Sequence, residues 1–251
     1  MTVISYQTMI PHPSEFLCTG FLLLILIIST SEPCYSSGLL QEGSQNIVNQ
    51  YGTEQQVLYN GKIWRNLFSA TKGDQFLFSN GFVKGNVNIG NRVFEDASLR
   101  YDIYNDELQI MTPQGVILSL NKENIDAFTL WHNDRQYHFI KKEVSNILKR
   151  SGYLNILHNG RLKLYVRYRK DILPLAVDNK YDLFTLIQHI YLEKDSQMYL
   201  LRKKRDVIKL FPGYKDEIKD FLRHNRISIS KNDPDSFMAL IEYCDNLRAE
   251  P

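Results

Sequence analysis

Charge of one sign is the first thing this sequence lacks. Thirty Lys and Arg stand against 28 Asp and Glu, a formal +2 over 251 residues, far below the basic excess of a dedicated nucleic-acid binder. Cysteine is scarce as well. Of the three, Cys18 and Cys34 lie near the N-terminus, so loss of an N-terminal signal leaves Cys244 alone. An exported chain with one thiol has no internal disulfide and is held by packing. The familiar catalytic signatures are missing too. There is no Gly-x-Ser-x-Gly elbow, His-Glu-x-x-His, Cys-x-x-Cys, Gly-x-x-x-x-Gly-Lys or dinucleotide fingerprint. A glycosidase needs only two carboxylates roughly 5–10 Å apart, but no such pair stands out, and no repeat of fixed period marks a propeller or solenoid.

Long apolar runs are limited to one. FLCTGFLLLILIIST, residues 16–30, falls short of the roughly 20 residues a membrane span needs and has the length of a signal-peptide core. Residues 1–16 contain no Lys or Arg, and Glu15 adjoins the run, which departs from the usual basic start of a signal sequence. Small residues place cleavage after Ser36 or Ser31. The sequence therefore predicts a signal peptide over residues 1–36 and a linker or N-terminal arm over 37–55. It also predicts export to the periplasm or outer cell surface, with a retained N-terminal membrane anchor as the alternative.

What the chain has in abundance is aromatic side chains, 15 Tyr and 13 Phe, which suit half-buried pleated surfaces. From residue 56 to 201, short alternating runs are separated by Gly, Asn and Asp, the pattern of an antiparallel meander. Asn60-Gly61 reads as a hairpin turn. In LRYDIYNDELQIM, residues 99–111, a two-residue turn at Asn105-Asp106 places Leu99, Tyr101, Ile103, Leu108 and Ile110 on one face, with Arg100, Asp102 and Gln109 on the other. Pro113-Gln114-Gly115 makes a three-residue loop pairing Ile110 with Leu118, and both turns select the same inward face. The carboxylates Asp102, Asp106 and Glu107 then mark a hairpin end; calcium would need six to eight oxygens, more than this tip supplies.

Three further hairpins follow. The first turns at Asn133-Asp134, the second at Asn159-Gly160, and the third lies within LIQHIYLEKDSQMYLL. EVSNILKRSG between the first two reads as a short helix ending at Gly152. A two-residue turn at Asn133-Asp134 offsets His132 from His138; a loop of Asp134 to Gln136 would instead oppose them, as a zinc site requires. Tyr104 and Tyr165, with neighbouring Arg residues, read as outward-facing. From 202 to 251 the period becomes helical: Tyr214, Ile218, Phe221 and Leu222 form one stripe, and Phe237, Leu240, Ile241 and Cys244 another, with Pro234 in the first turn. The compact basic run Arg202, Lys203, Lys204 and Arg205 joins strand to helix and offers contact to an anionic surface.

LYNGKIW, LRYDIYNDEL, LKLYVRYRKDI and LFPGYKDEIKDFLRHNRISI, spread over residues 58–247, resemble a group of uncharacterised exported proteins common in Bacteroidetes. The resemblance implies a signal peptide, a periplasmic or surface location, and a tyrosine-rich sheet followed by helices. It brings no activity or catalytic residue with it. The expected fold is α+β, a mainly antiparallel β-meander followed by a small C-terminal helical unit packed on the sheet. No catalytic residue, cofactor or metal ligand is assigned. The expected function is a non-enzymatic binding or scaffold module for an envelope protein or polymer; the alternative is an envelope-polymer hydrolase using carboxylates.

Overall fold

Backbone turns that demand left-handed residues set the strand lengths. Asn133 and Asp134 have φ of 49° and 57°, and Asp195 and Ser196 have 52° and 60°. Successive positive φ values make the turn type whose twist matches that of the flanking strands. The computed structural model describes residues 56–142 and 152–247. Its strands are β1 (Gly61–Ile63), β2 (Val83–Ile89), β3 (Arg92–Asp102), β4 (Glu107–Met111), β5 (Ile117–Leu120), β6 (Ile125–His132), β7 (Arg135–Lys142), β8 (Gly152–Asn159), β9 (Lys163–Val177), β10 (Tyr181–Lys194) and β11 (Gln197–Leu201). Helices α1 (Lys204–Leu210), α2 (Lys215–His224) and α3 (Met238–Leu247) follow. The class is α+β. The residues read as signal peptide, linker and most of the EVSNILKRSG helix lie outside those described. Among the described residues no helix is long and apolar enough to cross a membrane.

All eleven strands form one sheet, in the order β1-β5-β4-β3-β2-β6-β7-β8-β9-β10-β11, with antiparallel pairing throughout. This order forces the sheet to curl. β5 and β6 are separated by three strands yet joined only through Asn121 and a 3-10 turn, Lys122–Asn124. On a flat sheet four strand spacings amount to about 19 Å. Five extended steps reach about 17 Å at most, and a 3-10 turn reaches less. Curling carries the end of β3 to β9, where the Lys170 amide donates to the Ile103 carbonyl at 3.2 Å.

The concave face holds the core. Leu99, Tyr101, Ile103, Leu108 and Ile110 pack against Phe128, Leu130, Phe139 and Tyr153. Tyr101 sits among three rings, with centroids 5.1, 5.2 and 5.9 Å from Phe128, Phe139 and Tyr153. Farther along the sheet Leu162, Leu164, Val166, Ile190 and Leu192 receive the helices through Val207, Ile218, Phe237, Leu240, Ile241 and Cys244. Tyr168 packs against both clusters. Asp245 of α3 ties the helices to the β8–β9 turn. Its Oδ1 accepts from the Leu162 amide at 3.0 Å, and its Oδ2 accepts from the Arg161 amide at 3.1 Å. Gly160 is required there because a Cβ would stand 2.0 Å from that Oδ2.

Several expectations change. Asn60-Gly61 is not a hairpin turn: Gly61 opens an edge strand pairing with Leu120, and its missing Cβ lets the Ser119 carbonyl approach. The β3–β4 loop is four residues, 103–106, because the pairs are Leu99–Ile110, Tyr101–Leu108 and Asp102–Glu107. That register lies two residues from the predicted one. An even shift preserves which side each residue faces, so the inward set is unchanged. The β4–β5 turn is as predicted, with Ile110 paired to Leu118 and Gly115 at φ 79°. In the first helical stripe Ile218 and Leu222 are buried, but Tyr214 is exposed.

Candidate functional site

The face of β3–β5 opposite the core was expected to meet solvent. It is buried instead. Arg100, Asp102 and Gln109 are 4%, 0% and 0% exposed, because the segment 64–82 crosses over them. The Arg100 guanidinium lies over the rings of Phe76, Phe82 and Trp64 at 3.8, 4.4 and 4.7 Å. It donates to Gln109 Oε1 at 3.0 and 2.7 Å and to the Asn80 carbonyl at 2.6 Å. Burial pushes its pKa down to about 10 against the pull of Asp102 and Asp74, and it keeps its charge at neutral pH. The segment itself is anchored at Asp102, where Gln75 Nε2 donates to Oδ2 at 3.0 Å, and at β10, where the Phe184 amide donates to the Lys72 carbonyl at 3.1 Å.

The 103–106 loop is built by Asp102. Its Oδ1 accepts from the amides of Tyr104 and Asn105 at 3.0 and 2.9 Å, an Asx arrangement that lets a polar side chain replace a backbone partner. Asp106, at φ 59°, turns its carboxylate inward. Tyr101 Oη donates to Asp106 Oδ1 at 2.5 Å, Lys122 Nζ donates to Oδ2, and Arg167 lies 3.8 Å from the same oxygen. Burial first, then Asp106, raises the Tyr101 pKa well above the ordinary phenol value.

Three cavities meet at this loop, and Asn105 lines all of them. On one side lies a cleft of about 480 Å³ between the loop and β9, bounded by Lys122, Arg167, Arg169, Lys170, Tyr104 and Tyr168. Its carboxylates are Asp106 and Asp171; Arg169 Nε donates to Asp171 at 3.0 Å, and Lys170 Nζ donates to Asp74 Oδ1 at 2.9 Å. With Asp74 included, four cations meet three carboxylates, which leaves the walls with an excess of one positive charge. Burial lifts the Tyr168 pKa to about 12, so it presents a neutral phenol. On the other side a groove runs along β1 and β5, formed by two cavities of about 450 and 320 Å³.

The loop's acidic residues are consumed by this architecture: Asp102 by amides, Asp106 by Tyr101 and Lys122, Glu107 by Lys62 at 2.6 Å. Among the described residues no three His, Cys, Asp or Glu side chains converge for a metal. His132 stacks on Phe78 at 4.1 Å. His138 Nδ1 lies 2.9 Å from Thr129 Oγ1. The β6–β7 turn is the two-residue Asn133-Asp134, with His132 opposite Arg135 and His138 opposite Thr129. Tyr165 and Tyr104 are corrected from outward positions. Tyr165 is buried and donates to Glu193 at 2.8 Å; Tyr104 packs edge-on against Phe68 and Phe184. Arg202, Lys203, Lys204 and Arg205 are all exposed, at the start of α1. There Asp206 accepts from the amides of Arg202 and Lys203 at 2.8 and 3.0 Å. Sequence reasoning missed Lys122, Arg167 and Lys170 as one group, because only the curl of the sheet joins them. No family model, characterised protein or solved structure matches the chain.

Proposed function

We propose that this chain is an exported binding module of the cell envelope, and that the cleft beside the 103–106 loop grips an anionic group of a protein or polymer partner. The supporting observation is the excess of cations there: Lys122, Arg167, Arg169 and Lys170 stand against Asp106, Asp171 and the Asp74 that pairs with Lys170. A bound anion adds charge-assisted hydrogen bonds to side chains already held in place. Tyr104 and Tyr168 supply the apolar wall that such sites combine with a few oriented polar groups. Arg202, Lys203, Lys204 and Arg205 add a second positive surface on the exposed start of α1. The resemblance to exported Bacteroidetes proteins supports the location.

The test is titration with an anionic polysaccharide, polygalacturonate, against an uncharged polysaccharide of similar length. Binding should be selective for the anion and weaken with salt. Arg169→Gln, whose side chain is half exposed and replaceable without disturbing the core, should weaken it about five- to tenfold, roughly 1–1.4 kcal/mol. Equal binding of both polymers, or no loss in Arg169→Gln, refutes the cleft. Cleavage of the polymer would replace the binding-module reading with the hydrolase. Recovery of a mature N-terminus after Ser31 or Ser36 from the envelope fraction supports export with cleavage; an intact N-terminus there supports the retained membrane anchor instead, and absence of the protein from the envelope fraction refutes the location.

A further inference from the structure

Beyond the sheet, the end of α2 carries an arginine where helices usually carry glycine. Arg226 has φ 53°. Its amide donates to the Arg223 carbonyl at 3.2 Å, and the Ile227 amide donates to the Leu222 carbonyl at 2.9 Å. A helix closed in this way takes a left-handed residue, ordinarily Gly and sometimes Asn. Arginine there carries a backbone cost that glycine avoids. What it adds is a guanidinium on the wall of a cavity of about 220 Å³, lined by Lys204, Lys219, Leu222, Arg223, Arg226 and Ile227. All four cations are exposed, while Leu222 is buried and Ile227 half-buried, so the charged groups are reached directly from solvent.

Carboxylates lie near the cavity but do not line it. Asp216 accepts from Lys219 at 2.8 Å, and Asp220 accepts from Arg223. Lys204 and Arg226 make no ion pair among the described residues. Asp206, the acid of α1, accepts from the amides of Arg202 and Lys203. Over residues 204–226 seven Lys and Arg stand against four Asp and Glu, so the excess survives a count of every charge on both helices. We infer that this cavity is a binding site for a phosphate monoester. Two guanidiniums and two ammoniums offer both forked and rotatable donors. They suit a group with three strong acceptor oxygens and a charge of about −1.5 to −2. The cavity is smaller than the roughly 300–1,000 Å³ of sites for drug-sized ligands, so it takes the phosphate group and leaves the rest of the ester outside. This deepens the reading of the start of α1 as a positive surface, and it shares no residue with the cleft beside the 103–106 loop.

Methyl phosphate is titrated into the full-length chain by calorimetry while the backbone resonances of Arg223, Arg226 and Ile227 are followed, with acetate as the control anion. Methyl phosphate should bind saturably and shift those resonances, and acetate should not saturate over the same range. Arg226→Gly should weaken binding about fivefold, the top of the range for an exposed ion pair. Its thermal midpoint should stay equal or rise, because glycine suits the left-handed position. Lys204→Gln should weaken binding to a similar degree. Loss in both variants supports the pocket. Undiminished binding in either overturns it, as does equal binding of acetate or no saturable response to methyl phosphate. Should Arg226→Gly melt below wild type, Lys204→Gln decides alone. Vesicles of phosphatidylcholine with and without phosphatidic acid separate the sources. Uptake that needs phosphatidic acid and falls in Arg226→Gly identifies a lipid headgroup; methyl phosphate binding without such uptake identifies a soluble ester. Arg169→Gln, which tests the cleft, should leave methyl phosphate binding unchanged; a matching loss there assigns the phosphate to the cleft and overturns the pocket.

Discussion

Replacing Tyr101 by Phe removes one hydroxyl from the centre of the curled sheet and leaves the ring among Phe128, Phe139 and Tyr153. That hydroxyl donates to Asp106 Oδ1 at 2.5 Å, in a position 3% exposed. A hydrogen bond to a charged acceptor contributes about 1.5–3 kcal/mol. Asp106 keeps Lys122 in the variant, so the expected loss is about 2 kcal/mol, at the middle of that range. For a unit of this size each kcal/mol moves the thermal midpoint by about 2–4 °C, giving a fall of about 4–8 °C. Chemical denaturation at neutral pH would measure the free energy directly, and a double-mutant cycle with Asp106→Asn would isolate the pair. The pH dependence has a definite sign. Burial and Asp106 raise the folded pKa of Tyr101 above the ordinary 10.0, so its contribution is complete below that value. It is lost as the pH climbs toward the folded pKa, because the unfolded phenol ionises first. The advantage of wild type over Tyr101→Phe should therefore shrink above pH 10. A difference below about 0.5 kcal/mol at neutral pH, within the scatter of surface substitutions, or strict additivity in the cycle would refute this account of the loop.

Other changes probe other joints. Asp245→Ala should cost about 3 kcal/mol, since it strips a carboxylate from the amides of Arg161 and Leu162; hydrogen exchange should show those two amides losing protection first. Gly85→Ala would set a Cβ 2.4 Å from the Thr129 carbonyl and 2.7 Å from Leu99 Cδ1; denaturation should register a loss of about 1–3 kcal/mol from overpacking between β2 and β6. Burial raises the Cys244 thiol pKa to about 12, so in a Cys18→Ser, Cys34→Ser background maleimide should label the protein only after denaturant unfolds it. Burial alone would raise the Glu193 pKa, but hydrogen bonds from Lys142 and Tyr165 lower it overall. Its contribution is thus present at neutral pH and fades as acid takes the pH through the folded value below 4.5. The stability gap between wild type and Glu193→Gln should close over that range.

Parity, period and part of the turn chemistry were legible in the residues themselves. Alternation placed Leu99, Tyr101, Ile103, Leu108 and Ile110 on one face, and an error of two residues in register left that face intact because the strand period is two. Asn133-Asp134 and the helical stripe Phe237, Leu240, Ile241 and Cys244 depend on local backbone preference and a 3.6-residue period, and both emerged as read. Local pattern could not reveal that polar residues opposite the core would be roofed by residues 64–82, since alternation distinguishes two faces without saying what covers either. Nor could it place Lys122 and Arg167 against Asp106, or bury Gln109 and Ser119 side by side on the face opposite the core. Those juxtapositions follow from the four residues joining β5 to β6. So short a link across so many strands must bend the sheet, and bending is a property of the whole sheet.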